Sequence, residues 1–126
     1  MVIKKFEDLD TWKEARKLTN LVYKLTKKIH FSKDFSLRDQ IQRATISTMA
    51  NTAEGFDSGS NPHFIQFLTY SRRSASEVQS HLYVALDNKY ITDIEFHETY
   101  AKAKSIQRLC MGLIKYLKKT RNSSRT

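Results

Sequence analysis

The stretch QIQRATISTMANTAEG, residues 40–55, constrains the fold of this chain more than any other segment. Wound at 100° per residue, Leu37, Ile41, Ala44, Thr48 and Gly55 fall on one side, at the three- and four-residue spacing of a packed helix face. Ile46, Ala50 and Ala53 fall on the opposite side, which leaves little room for a purely solvated surface. A helix this slim lets neighbours approach closely, and one that is apolar on two faces has partners on both. The first partner is the rest of the fold; the second is expected to be another subunit. Between the two faces runs a polar line, Gln40, Arg43, Ser47 and Glu54, with Asn51 at its edge. Its expected role is a structural hydrogen-bonded network that fixes helix register, with Arg43 and Glu54 as an ion pair, rather than a catalytic cluster. Buried polar groups need partners in any fold.

Three more helices surround this one. The first is predicted from near Leu9 to about Ile29, with Asp8 or Asp10 at its N-terminal dipole. Ala15, Leu18, Val22, Leu25 and Ile29 form its inner face, Trp12 and Thr26 border it, and Lys13, Lys17, Lys24, Lys27 and Lys28 form an outer basic stripe. Residues 30–35 read as a short connection. The small-residue helix is predicted to start at Ser36, capped by its hydroxyl with Asp39 completing an imperfect capping box, and to end near Gly55. A loop follows at DSGSN, residues 57–61, and Asn61 caps a third helix in which Pro62 takes the first position. That helix runs to about Asp87 and buries Phe64, Phe67, Leu68, Ser71, Ala75, Val78, Leu82, Ala85 and Leu86. Arg73 and Glu77 form a surface pair, and Asn88 is its left-handed stop. The fourth helix opens on a capping box, Thr92 with Glu95, and a staple of Ile91 to Phe96. Its core face is Phe96, Ala103, Ile106, Cys110, Leu113 and Leu117, and it ends by Thr120. Short loops between four amphipathic helices specify one all-α domain over residues 1–120, an antiparallel up-down-up-down four-helix bundle. Residues 121–126 are expected to be a disordered basic tail.

The central stretch, with Phe6, Leu9, Trp12 and Ala15 before it and Phe64, Phe67 and Leu68 after it, resembles the bacterial four helix bundle family, also called the 23S rRNA-intervening sequence proteins. The family's pattern is close to Q-I-R-R-A-x-x-S-x-P-A-N-x-A-E-G. Gln40, Ile41, Arg43, Ala44, Ser47, Ala50, Asn51, Ala53, Glu54 and Gly55 stand at the matching positions. Gln42 replaces a basic residue, and Met49 replaces a proline whose loss should leave a straighter helix. The resemblance covers residues 5–118, and the family is similar in shape to the accessory proteins of diversity-generating retroelements. It implies a homopentamer with a basic exterior and names no reaction.

Charge carries the functional reading. The net charge is +9, yet eight of the 22 Lys and Arg residues lie beyond residue 101 with no Asp or Glu among them. Such asymmetry argues for a polyanionic partner, most simply RNA or DNA. Lys104, Arg108, Lys115 and Lys119 align on the fourth helix away from its core face, Lys118 lies beside them, and Arg121 follows in the tail. These six residues are the candidate nucleic-acid-binding set, neutralising phosphates without reading sequence. Tyr100 and Tyr116 flank the face and are expected to pack at a helix or subunit boundary rather than stack on bases.

Enzyme chemistry finds no foothold. The chain has no phosphate-binding or dinucleotide glycine loop, no nucleophile elbow and no paired cysteines. Cys110, the single cysteine, lies on a core face where an inert thiol is expected. Glu77 with His81, and Asp93 with His97, have metal-ligand spacing but only two ligands each, so no metal or cofactor is expected. No apolar run approaches the ~18 residues of a membrane span, and no secretory leader is visible, which makes the cytoplasm the expected location. The sequence therefore points to a non-enzymatic homo-oligomer that binds nucleic acid. The alternative is an interaction scaffold, an accessory subunit docking onto a nucleic-acid enzyme such as a reverse transcriptase without touching nucleic acid itself.

Overall fold

The computed structural model of the protein describes residues 2–120. The tail expected at 121–126, and Arg121 with it, lies outside the described residues. Four helices account for most of the chain: α1 at Asp10–Thr26, α2 at Phe35–Asp57, α3 at Asn61–Asp87 and α4 at Asp93–Lys119. Short 3-10 turns at Phe6–Asp8 and Phe31–Lys33 precede α1 and α2.

Each helix packs on its neighbours in sequence, and α1 closes against α4, so the four form a ring around one core. Bonds between helices fix the directions. Ser74 Oγ donates to Ser47 Oγ at 2.9 Å, and one turn further along α2 Thr52 meets Ser71, one turn back along α3, also at 2.9 Å. At one end of the bundle Asn61, opening α3, donates to the Thr120 carbonyl at the close of α4. At the other, Lys28, just past α1, bonds Glu95 in the first turn of α4 at 2.6 Å. These pairings hold only if neighbours run antiparallel, giving the up-down-up-down bundle.

The core is the set of inner faces the periodicity requires. Ala15, Leu18, Val22, Ile41, Leu68, Ala75, Val78, Leu82, Ala85, Ala103, Ile106 and Cys110 are fully enclosed. Phe67, Leu86 and Leu113, expected within it, are half-buried at its margins. A second component is polar. Thr45, Thr48, Thr52 and Ser71 have no exposed surface, and their hydroxyls are satisfied locally. Thr48 donates to the Thr45 carbonyl at 2.6 Å and Thr52 to the Thr48 carbonyl at 2.8 Å, while Ser71 crosses from α3 to the same Thr48 carbonyl at 3.1 Å. Short side chains that bond their own backbone keep α2 thin where α3 lies against it. Gly55 continues that contact: a Cβ there would lie 2.8 Å from the Phe67 Cβ and 2.9 Å from Phe64 Cδ1.

Helix ends depart from expectation where a longer-range contact takes over. α1 stops at Thr26, three residues early, because Phe31 fills the core below it. Phe31 is fully buried and stacks on Tyr90 at 5.4 Å, whereas Ile29 is 68% exposed. The N-cap of α2 is Asp34, not Ser36: its Oδ1 accepts the Leu37 N–H at 3.1 Å and its Oδ2 the Tyr90 hydroxyl at 2.9 Å. One carboxylate thus caps a helix and ties the α3–α4 connection to it, while Ser36 receives Gln40 and Asp39 receives Arg38. The cap of α3 is Ser60, accepting from the His63 N–H, so Asn61 is freed to turn inward and Pro62 takes the second helical position. Gly59 supplies the left-handed residue of that loop at φ 83°. At the end of α3 the left-handed residue is Lys89 at φ 61°, not Asn88. The Tyr90 N–H reaches back to the Ala85 carbonyl and the Lys89 N–H to Leu86, the paired bonds of a Schellman close. The capping box of α4 forms as read, with Glu95 N–H on Thr92 Oγ1 and Thr92 N–H on Glu95 Oε1. α2 runs unbroken past Met49. Among the described residues no helix is long and apolar enough to cross a membrane.

Candidate nucleic-acid interface

Helix α4 presents its basic residues by simple periodicity. With Ala103, Ile106, Cys110 and Leu117 turned into the core, Lys104, Arg108, Lys115, Lys118 and Lys119 are all exposed. None of the five enters an ion pair among the described residues. The face is not uniform along its length. Arg108 and Tyr116 border a hollow that is also lined by Asp8, closing the first 3-10 turn, and Asp10, opening α1, so this flank is electrically mixed. The flank toward α3 has the opposite character, because Lys115 and Lys118 share a hollow with Arg72.

Tertiary contacts subtract other cations from the free set. Lys102 is held by Glu14 at 3.0 Å, and Lys28 by Glu95 at 2.6 Å. Lys17 lies 3.9 Å from Glu14. The outer stripe of α1 is thus partly neutralised, whereas the stripe of α4 is not. Tyr100 packs internally, against Phe96 at 5.4 Å and Tyr83 at 5.9 Å between ring centroids. Tyr116 is 60% exposed beside the basic face, the one of the two placed to meet an outside partner.

The polar line of α2 divides instead of forming one network. Asn51 donates to the Ser47 carbonyl and hydroxyl, and Ser74 of α3 joins them, so these residues do fix the register of two helices. Gln40 donates to Ser36 and takes no part in that network among the described residues. Arg43 and Glu54 are exposed and unpaired among the described residues, against the expectation of an ion pair. Eleven residues along a helix separate them by about 16 Å, beyond the reach of both side chains. Glu77 likewise pairs with His81 at 3.2 Å, not with Arg73.

Burial pushes the Cys110 thiol up to about 12, with the nearby Arg72 charge opposing only part of that effect. The sulfur is therefore held as a neutral thiol at physiological pH, unsuited to attack. Among the described residues no three of His, Cys, Asp and Glu gather as a metal site would require.

Arg72 and Arg73 are the members of this surface that sequence reading missed. Both belong to α3, one beside the core line and one exposed, and only the packing of α3 against α4 sets Arg72 next to Lys115 and Lys118. The adjacent arginines beside the buried Ser71 were the available signal.

Comparison with known proteins places this architecture. A crystal structure of a protein of unknown function from the S23 ribosomal protein family of Bacteroides thetaiotaomicron superposes with a TM-score of 0.78 at 24% identity. The match covers 83% of this chain and 98% of that one, and shares its fold. No curated protein matches the chain. The sequence pattern described as 23S rRNA-intervening sequence protein matches residues 7–112, from the first 3-10 turn to about three-quarters of the way along α4. Because the match spans most of the chain and the motif-bearing α2, this protein belongs to the 23S rRNA-intervening sequence protein family.

Proposed function

We propose that this protein is a non-enzymatic homo-oligomer that holds RNA or DNA by its phosphate backbone, with low sequence specificity, through the outward face of α4. The observation that carries this reading is that Lys104, Arg108, Lys115, Lys118 and Lys119 are exposed on one helix and enter no ion pair among the described residues, while Lys28 and Lys102 elsewhere are already neutralised. Lysine and arginine held free of carboxylates can displace counterions from a polyanion, and binding then falls steeply with salt. The outer face of α2 supports self-association: Phe35 is 64% and Ile46 45% exposed, with the exposed Ala50 one turn beyond Ile46. The resemblance implies a pentamer, in which repeated basic faces combine weak contacts through avidity.

Binding to structured RNA, duplex DNA and single strands across a salt series tests the proposal, with oligomer mass recorded in the same buffers. Micromolar or tighter binding with a steep salt slope is expected. Replacing Lys104, Arg108, Lys115 and Lys119 with Glu should abolish retention while helical content and mass stay unchanged. Absence of binding at low salt would overturn the reading in favour of an accessory subunit that docks on a nucleic-acid enzyme.

A further inference from the structure

The surface between α3 and α4 holds two hollows that meet at Arg72 and Met111. One, of about 380 Å³, is bordered by Ile65, Ile114, Lys115 and Lys118; the other, of about 370 Å³, by Arg73, Ser76 and Gln107. Four cations and no carboxylate line the continuous groove. Arg72 is its centre. Its Nε is shielded from solvent and has no hydrogen-bond partner, and the side chain enters no ion pair among the described residues. The shielded Nε itself is out of reach of a surface ligand, but the guanidinium charge borders both hollows with no carboxylate partner among the described residues, so it attracts an oxyanion at the mouth. Met111, 55% exposed, sits beside it as an apolar surface at the same mouth.

We infer that this groove is a track for one strand of single-stranded nucleic acid, with Arg72 donating to a phosphate and Lys115 and Lys118 neutralising its neighbours. Met111 and the flanking isoleucines support a sugar or base. The inference rests on the nucleic-acid reading above and deepens it by naming the form bound and a new anchor. A single strand exposes phosphates together with apolar sugar and base faces, matching cationic walls beside an apolar floor. A duplex stacks its bases away, and a groove between helices packed ~8–10 Å apart is too narrow to admit it.

Fluorescence anisotropy with labelled oligouridylate and with a blunt RNA duplex, over a salt series, tests the assignment. Wild-type protein is expected to prefer the single strand. Arg72→Gln should weaken it about tenfold, as loss of one charge-assisted contact would, and flatten the salt slope by about 0.7. Arg72→Lys should recover part of the affinity. On adding oligouridylate the Nε–H resonance of Arg72 should shift, which a purely structural arginine would not show. Should Arg72→Gln disturb folding, Lys118→Gln combined with Met111→Asp, both at exposed positions, carries the same expectation.

Failure of the wild type to bind oligouridylate overturns the groove, and failure to bind the RNA duplex and duplex DNA as well overturns both readings. Binding that is lost on reversing Lys104, Arg108 and Lys119 but unchanged in both groove variants overturns the groove alone. Preference for the duplex also overturns it. A change of oligomer mass in the folded Arg72 variant would make the groove a contact between copies, and equal binding of oligoglutamate would make it a dock for an acidic protein segment; either result displaces the inference.

Discussion

At the scale of single residues, the two helical glycines separate effects that composition lumps together. Glycine inside a helix costs about 1 kcal/mol relative to alanine. At Gly112 an added Cβ meets open space, so Gly112→Ala should stabilise the protein by about 0.5–1 kcal/mol. At Gly55 the same Cβ would strike the Phe67 Cβ at 2.8 Å, an atom fixed to the α3 backbone that cannot swing aside. Overpacking of this kind costs about 1–3 kcal/mol. The clash outweighs the propensity gain, and Gly55→Ala should be destabilising by about 1 kcal/mol. Urea denaturation of the two variants checks the pair; equal shifts in one direction would refute the close approach of α2 and α3. The sequence marked Gly55 as part of a slim face, but which atoms made slimness necessary was not legible, because Phe64 and Phe67 come from another helix.

At the scale of elements, helix termini hold the longer-range ties. Glu95 closes the capping box of α4 and receives Lys28 from the end of α1. The Lys28 ammonium first, and the Thr92 N–H second, hold its carboxyl below the ordinary value of 4.5. A carboxylate depressed in the folded state contributes stability that is fully present above its unfolded value and lost as pH falls through the folded one. Glu95→Gln should therefore lower the denaturation midpoint at neutral pH, and the gap from wild type should close in acid. A gap that persists unchanged below the folded pKa would remove the Lys28 contact as its cause. The capping box was readable because its residues are three apart; the lysine on it was not, because 67 positions separate the two.

At the scale of the whole molecule, α2 is buried on one side and carries Phe35, Ile46 and Ala50 on the other. If that face meets a second copy, Ala50→Phe should dissociate the oligomer at concentrations where the helical signal is intact. Sedimentation beside circular dichroism would show this, and an unchanged mass would place the contact elsewhere. The sequence by itself determined the four helices, their inward faces, the α4 cap and the outward basic stripe. Periodicity and capping are settled among residues a few positions apart, where helix geometry leaves one arrangement. Only the tertiary structure decided the rest. It set Phe31 into the core and Ile29 outside, kept Arg43 and Glu54 apart and out of any ion pair among the described residues, and spent Lys28 and Lys102 on carboxylates of other helices. It also joined Arg72 of α3 to Lys115 and Lys118 of α4. Those outcomes depend on which surfaces meet when helices pack, and side chains distant in sequence acquire their charge environment only then.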